Sequence, residues 1–279
     1  MGQAAIRRHS FAFLRGISAL LLGSCMIVPP VSAPSAGRAV SLEPQDIYRM
    51  FHMCQAAWRQ RDTYRDSGWI LEYHEHPETN TQVLFIEEEE TLYVVFRGSQ
   101  FRTSETDRRH NTMIVRRRPE IEIFSRSVRT HMGFSEKYHA VRDTVLSRAR
   151  ASNAQRIMAV GHSAGGALAI LAFADFLNHE PDRISHAVTF GMPRLLNRAG
   201  ARELSPYQKR IVRVINGADP VPRVPAALFG YRHVGTAIQI GSREGLSLVS
   251  FADHNTGYPG ALREWLRDHG LAPDPRFAP

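Results

Sequence analysis

The chain has 279 residues, of which 43% are hydrophobic, and it contains 20 glycines and 16 prolines. This composition, with no glycine or proline period, excludes a disordered, collagen-like or low-complexity chain. A chain of this length buries roughly three quarters of the surface that it exposes when unfolded, so its core needs neither disulfides nor a metal. We therefore expect a compact fold.

The formal net charge is +8, and removing the three arginines of residues 1–36 leaves +5. Residues 97–129 hold nine arginines against four acidic residues, which accounts for the remaining excess. Such a basic segment is typical of a solvated loop or of peripheral contact with an anionic membrane. Binding to nucleic acid is disfavoured, because aromatic residues do not alternate with the arginines.

Residues 1–36 predict an export signal, since arginines precede the apolar run 16–28 and no acidic residue is present. The run is shorter than the roughly 20 residues of a membrane-spanning helix. We expect a secreted or periplasmic protein.

In an alternative interpretation, residues 22–25 resemble a bacterial lipobox, which would attach lipid to Cys25. The other cysteine, Cys54, lies on an apolar helical face and is expected to pack in the core.

The patterns after residue 36 predict alternating strands and helices. In chain order we predict a helix at 41–61, strands at 81–86 and 91–97, an irregular stretch at 100–130, a helix at 134–150, a strand at 156–160, a helix at 164–177, strands at 185–190, 210–215, 232–240 and 245–251, and a helix at 259–268. This alternation indicates an α/β fold with a largely parallel central sheet. We assign it to a single domain at 37–271, followed by a flexible tail at 272–279.

The most informative motif is Gly161-His-Ser-Ala-Gly165, between an apolar strand and a helix of small residues. A tight strand-to-helix turn exposes a serine oxygen, and it requires glycine on both sides because larger side chains would clash. The following helix directs amide hydrogens at the site. The motif predicts that Ser163 is a catalytic nucleophile. Adjacent side chains diverge on such a turn, so we expect His162 to pack sideways.

An α/β-hydrolase places its acid and then its histidine after the serine in the chain. Asp219 follows the strand 210–215 in a proline-rich turn, at the carboxyl end where α/β sheets build their sites. We prefer Asp219 as the acid to three other aspartates: Asp175, Asp182 and Asp253.

His254 lies in a polar segment between a predicted strand and the last helix, where its ring can reach the serine. A histidine can accept the serine proton near neutral pH, while the aspartate fixes its tautomer. We prefer His254 as the base to His233, in an apolar strand, and to His269, near the chain end.

Acyl transfer also needs N–H donors for the oxyanion that forms on the substrate. The backbone amide after the nucleophile, that of Ala164, is one candidate. Ser99 is the other, because it follows Gly98 at the end of an apolar strand and offers both an amide and a hydroxyl. No metal or cofactor is expected in this mechanism.

Residues of about 80–260 resemble the class 3, fungal-type triacylglycerol lipase family. The resemblance is carried, in order, by residues 94–99, Asp107 with Asn111, residues 131–134, 161–169, 189–194 and 213–223, and residues 233–235 with His254. It implies an α/β-hydrolase fold, esterase or lipase activity, a Ser163–Asp219–His254 triad, and Ser99 and Ala164 as oxyanion donors.

The sequence departs from the family at Arg108, where tryptophan is usual, at Ala164, where leucine is common, and in lacking the fungal disulfides. The family's lid would lie at about residues 100–115, which here are mostly polar and basic. An apolar lid opens by placing its apolar face on a neutral lipid phase. A polar and basic lid is better suited to anionic phospholipid or to soluble esters. We expect a serine carboxylester hydrolase acting on acylglycerol, phospholipid or soluble esters. The alternatives are a phospholipase A1 on anionic membranes and a non-catalytic membrane-binding protein.

Overall fold

The computed structural model describes residues 41–58, 67–100, 103–113, 115–242 and 249–277. The strands are β1 (Ile70–His76), β2 (Thr81–Glu88), β3 (Thr91–Phe96), β4 (Arg116–Arg117), β5 (Thr130–His131), β6 (Arg156–His162), β7 (Ile184–Phe190), β8 (Leu196–Asn197), β9 (Ile211–Asn216), β10 (Tyr231–Arg232) and β11 (Thr236–Ile240). The α-helices are α1 (Pro44–Trp58), α2 (Glu105–Thr112), α3 (Met132–Ala151), α4 (Ala164–His179), α5 (Arg198–Glu203), α6 (Phe251–Asn255) and α7 (Tyr258–Asp268).

Seven of these strands form one sheet in the order β1-β2-β3-β6-β7-β9-β11. The first two ladders are antiparallel, and the four from β3 to β11 are parallel. The predicted α/β fold with a largely parallel sheet is therefore confirmed. A small antiparallel sheet, β10-β8-β5-β4, lies beside it.

The two faces of the large sheet bury different helices, because neighbouring side chains of a strand point to opposite faces. In β3, Val94 and Phe96 join a core that includes residues of α3 and α4. The intervening Tyr93 and Val95 join a second core with residues of α1 and α7. Strand β3 is buried along its whole length, as expected of a central strand covered on both sides.

Several sequence predictions differ from the structure. The alternating, charged segment of β1 was not predicted as a strand. Helix α2 lies inside the stretch predicted as irregular. The strand predicted at 232–240 is divided at Gly235, whose φ of +90° interrupts an extended chain, so β10 and β11 belong to different sheets. Phe251 begins α6 and does not end a strand.

The chain end also differs from the flexible tail that we predicted. Phe277 is buried and stacks on His52 and Trp69, so it closes the core beside α1. The predicted export signal and the lipobox at Cys25 lie outside the described residues. Among the residues that the structure does describe, no helix has the length and hydropathy to cross a membrane.

Candidate active site

Ser163 occupies a sharp turn between β6 and α4, with φ +57° and ψ −129°. A positive φ is strained for a residue with a side chain, and it turns the serine out of the strand. A Cβ on Gly161 would lie 2.2 Å from the carbonyl oxygen of Gly165, and a Cβ on Gly165 would lie 2.1 Å from that of Phe96. The turn therefore tolerates only glycine at these two positions.

The structure brings the three residues predicted as a triad into hydrogen-bond contact. Nε2 of His254 lies 2.9 Å from Oγ of Ser163, and Nδ1 of His254 lies 2.9 Å from Oδ2 of Asp219. Asp219 and His254 are both buried. In this geometry Nδ1–H donates to the carboxylate, which leaves Nε2 free to accept the serine hydrogen.

Asp219 is held by donors besides the imidazole. The Tyr258 hydroxyl donates to its Oδ2 at 2.9 Å, and the backbone N–H of Val221 donates to its Oδ1 at 2.9 Å. Burial raises the pKa of Tyr258 well above its usual value, and the Asp219 charge raises it further, so the hydroxyl remains a donor. Sequence reasoning missed Tyr258, whose only signal was its place four residues after His254.

His162 supports the candidate base from behind. Its Nε2–H donates to the backbone oxygen of His254 at 3.1 Å, and the two rings stack with centroids 4.8 Å apart. Burial, together with the neighbouring His254, lowers the pKa of His162 to about 3. A neutral His162 therefore fixes both the backbone and the ring of His254.

The side chains that we rejected as acid or base have other contacts. Asp253 accepts the N–H of Ala218 at 2.7 Å and so fixes the turn before Asp219. No three His, Cys, Asp or Glu side chains of the described residues come together as a metal site. Three further rejected candidates bond elsewhere: Asp175 with Tyr138 and Arg142, His233 with the carbonyl of Pro222, and His269 with the carbonyl of Trp265.

Residues 93–229 match the family model described as Lipase (class 3). The chain belongs to the class 3 lipase family. It is 34% identical over 122 residues to a secreted mono- and diacylglycerol lipase of Malassezia restricta, covering 42% of this chain and 41% of that protein. It is 31% identical over 166 residues to a lipase of Rhizomucor miehei, covering 57% of this chain and 44% of that protein. The matched part is thus less than half the length of these relatives.

Solved structures of fungal lipases share the fold. The native Rhizomucor miehei lipase propeptide complex superposes with a TM-score of 0.61 at 22% identity, covering 78% of this chain and 77% of that one. A lipase of Rhizopus microsporus var. chinensis superposes with a TM-score of 0.58 at 21% identity, covering 84% and 89%. The fold is therefore that of an α/β-hydrolase, as the class 3 resemblance implied.

A cavity of about 310 Å³ opens beside Ser163. One wall is the end of α1, which contributes Phe51, Cys54, Gln55 and Trp58. A second cavity of about 610 Å³ shares Trp58, Ser99 and Asn255 with the first and adds the exposed ring of Phe251. The two cavities therefore adjoin each other beside the serine. As expected, Cys54 is buried, and burial raises the pKa of its thiol.

The two residues predicted as oxyanion donors lie beside the serine. Ala164 is the first residue of α4, and Ser99 lines the cavity with Ser163. Gly98 permits this close approach, since a Cβ there would lie 2.9 Å from the His162 carbonyl oxygen. The Ser99 hydroxyl donates to Oδ1 of Asn111 at 3.1 Å. Asn111 belongs to the aspartate–asparagine segment on which the family resemblance rested.

The aspartate of that segment, Asp107, is fully buried and anchors the chain that follows Ser99. Its Oδ1 pairs with Nζ of Lys137 on α3, and its Oδ2 accepts the N–H of Gln100 at 2.6 Å and Nδ2–H of Asn80 at 2.9 Å. Burial lowers the pKa of Lys137, and the Asp107 charge opposes this change. Asp107 therefore links Gln100, α2 and α3 next to the candidate site.

Proposed function

We propose that this chain is a secreted serine carboxylester hydrolase that acts on acylglycerols through an acyl-enzyme on Ser163. The observation that carries the proposal is the continuous contact from Ser163 Oγ through His254 to Asp219, with both distances 2.9 Å, at the base of a cavity. The relatives named as secreted mono- and diacylglycerol lipases support the substrate class and the export.

In the proposed reaction, Nε2 of His254 takes the hydroxyl proton as Oγ of Ser163 attacks the ester carbonyl carbon. The carbonyl oxygen becomes an oxyanion and accepts hydrogen bonds from the amides of Ala164 and Ser99, each worth roughly 2.7–4 kcal/mol. The imidazolium then protonates the alcohol oxygen as the ester bond breaks. The alcohol is released, and the acyl group remains bound to Ser163. His254 next deprotonates a water molecule as its oxygen attacks the acyl carbon. The bond between Oγ of Ser163 and the acyl carbon then breaks, the fatty acid is released, and His254 gives the proton to Oγ.

The test is replacement of the nucleophile. Ser163→Ala is expected to abolish hydrolysis of a p-nitrophenyl ester and of a diacylglycerol while leaving the thermal unfolding midpoint unchanged. Ser125→Ala, an exposed serine on another surface, is the matched control and should retain full activity. A fluorophosphonate should label the parent and the control but not Ser163→Ala. Retained turnover in Ser163→Ala, or an unlabelled parent, would exclude the mechanism and favour the non-catalytic alternative.

A second candidate is phospholipase A1 activity on anionic membranes, favoured by the exposed side chains of Arg116, Arg117 and Arg118. It can be tested with phosphatidylglycerol that carries a different fatty acid at each glycerol position. Release of the fatty acid from the first position supports this activity. Hydrolysis of diacylglycerol without any release from phosphatidylglycerol excludes it.

A further inference from the structure

An exposed apolar turn lies close to the candidate site in the chain. It is a 3₁₀ turn, Ala227–Phe229, on which the side chains of Leu228 and Phe229 are 81% and 54% exposed. Large apolar side chains side by side on a surface mark contact with another apolar phase. We call residues 227–230 the apolar tip.

Two arginines hold the apolar tip. Nη1 of Arg232 donates to the carbonyl oxygen of Ala227 at 2.8 Å, and Nη1 of Arg116 lies 3.5 Å from that of Gly230. Both arginines are exposed, and neither forms an ion pair with an acidic side chain of the described residues. The apolar tip is therefore flanked by two positive charges that no carboxylate of the described residues pairs with.

A third arginine adds to this charge. Nη1 of Arg194 donates to the carbonyl oxygen of Pro225 at 2.9 Å, just before the apolar tip. Burial lowers the pKa of Arg194, and the nearby charge of Arg232 lowers it further. Like charges held this close favour an anion between or above them.

The apolar tip is connected along the chain to the candidate site. It belongs to the segment that leaves the carboxyl end of β9, the segment that also carries Asp219. Phe251, 62% exposed, follows the carboxyl end of β11 and lines the outer cavity. Phe251 is thus a further exposed apolar side chain, at the outer cavity.

We propose that the apolar tip docks the protein on an anionic lipid surface. Leu228 and Phe229 enter the boundary between headgroups and acyl chains, while Arg116 and Arg232 bind lipid phosphates. The positive charge beside the apolar tip favours an anionic lipid surface over a second copy of this basic chain. Contact between two copies through the tip would bring arginines against arginines. The inference deepens the proposed function by naming its surface, but docking itself requires no turnover.

The test measures binding by Ser163→Ala protein, which cannot consume the lipid. Its partition onto vesicles of phosphatidylcholine mixed with phosphatidylglycerol is followed by co-sedimentation at low salt. Leu228→Ser with Phe229→Ser should weaken binding at least about tenfold, because two apolar side chains no longer leave water. Arg116→Gln with Arg232→Gln should weaken it about fivefold per arginine on these vesicles, and hardly at all at high salt.

The matched control uses an apolar and a basic residue at the opposite edge of the sheet. Ile70, 72% exposed, pairs with Glu87 near the start of β3, and the exposed Arg150 lies in the last turn of α3 at the same edge. Ile70→Ser with Arg150→Gln should bind as the parent does, and thermal unfolding should show every variant folded.

Three outcomes would overturn the proposal. They are equal binding with and without the apolar tip, equal loss in the control variant, and a dimer in sedimentation equilibrium that the tip substitutions dissociate. The last result would assign the surface to a second copy of the chain. None of these outcomes depends on ester hydrolysis, so the proposed function is tested separately.

Discussion

Tyr258 places a second donor on the carboxylate that orients the candidate base. A buried carboxylate is stable only when hydrogen bonds replace the water it has lost. Asp219 has three such partners, the imidazole of His254, the hydroxyl of Tyr258 and the amide of Val221. The Tyr258 bond falls on the same oxygen that faces His254, so it bears directly on the angle at which the carboxylate meets the ring.

We predict that Tyr258→Phe lowers kcat on a soluble ester about tenfold, equivalent to about 1.4 kcal/mol of transition-state stabilisation. The matched control is Tyr138→Phe, since Tyr138 is also buried and donates to a buried carboxylate, that of Asp175, at 2.8 Å. Each substitution should cost about 1.5–3 kcal/mol of stability, as expected for a hydrogen bond to a charged group. If both variants lose activity equally, Tyr258 has only a structural role.

At the residue scale, the sequence was informative where local geometry demands particular residues. The glycines around Ser163 mark the turn, because no larger residue fits it. Tyr258 and His162 gave no such signal, since their contacts with Asp219 and His254 exist only once β9, β6 and α6 are assembled. A tyrosine at the start of a helix is compatible with many roles.

Helix α2 is anchored by the buried ion pair of Asp107 with Lys137. Only two of its eight residues, Asp107 and His110, are buried, and a short helix that is polar on nearly all sides has little stability by itself. Ser104 caps its first turn by accepting the N–H of Asp107 at 3.1 Å. The pair of Asp107 with Lys137 then fixes the helix against α3.

Removing one partner should therefore be costly. We predict that Lys137→Met lowers the free energy of unfolding by about 3–5 kcal/mol, because it leaves the Asp107 carboxylate buried without its cation. Arg117→Ala, which removes an exposed pair with Glu120, should cost less than about 1 kcal/mol. Urea denaturation measures both values. A loss for Lys137→Met no larger than that for Arg117→Ala would contradict the anchoring role.

At the element scale, periodic patterns predicted the long helices and the central strands. Helices α3 and α4 were predicted within two residues at each end, because apolar or small residues repeat along them. Helix α2 has no apolar period, and its stability comes from a contact with α3 that the sequence does not reveal. Strand β1 alternates around charged residues at the sheet edge, where little burial is needed.

At the scale of the whole molecule, several histidines of the described residues have a lowered pKa in the folded state. Burial lowers the pKa of His131, His186 and His233 to about 4, with nearby positive charges contributing, and that of His162 to about 3. In the unfolded chain these groups bind protons below about pH 6.5. The free energy of unfolding must therefore decrease as the pH falls from about 6.5 toward 4.

We predict that urea denaturation between pH 6.5 and pH 5 shows this decrease, with up to about 1.4 kcal/mol lost per pH unit for each buried histidine. His186→Gln, which removes a side chain buried next to Arg210, should give a shallower slope than the parent. His269→Gln, at an exposed position, should keep the parent slope. An unchanged slope in His186→Gln would show that its protonation is not linked to folding.

At this scale the alternation of strands and helices was sufficient to predict the parallel sheet. The parallel sheet, in turn, explains why residues from 99 to 254 meet at one edge. The contribution of α1 could not be predicted, because no local pattern indicates that the end of a helix preceding the sheet will form a wall beside Ser163.

Because α1 forms that wall, the shape of the cavity and the catalytic chemistry depend on different parts of the chain. Gln55 and Trp58 shape the space beside the serine, yet they lie more than a hundred residues before it and belong to none of the loops that carry Ser163, Asp219 and His254. In the proposed enzyme, preference for one acyl length over another can therefore be altered on a single helical turn while the chemistry is left intact. Natural or laboratory selection can therefore change the acyl-chain preference through substitutions at Gln55 and Trp58.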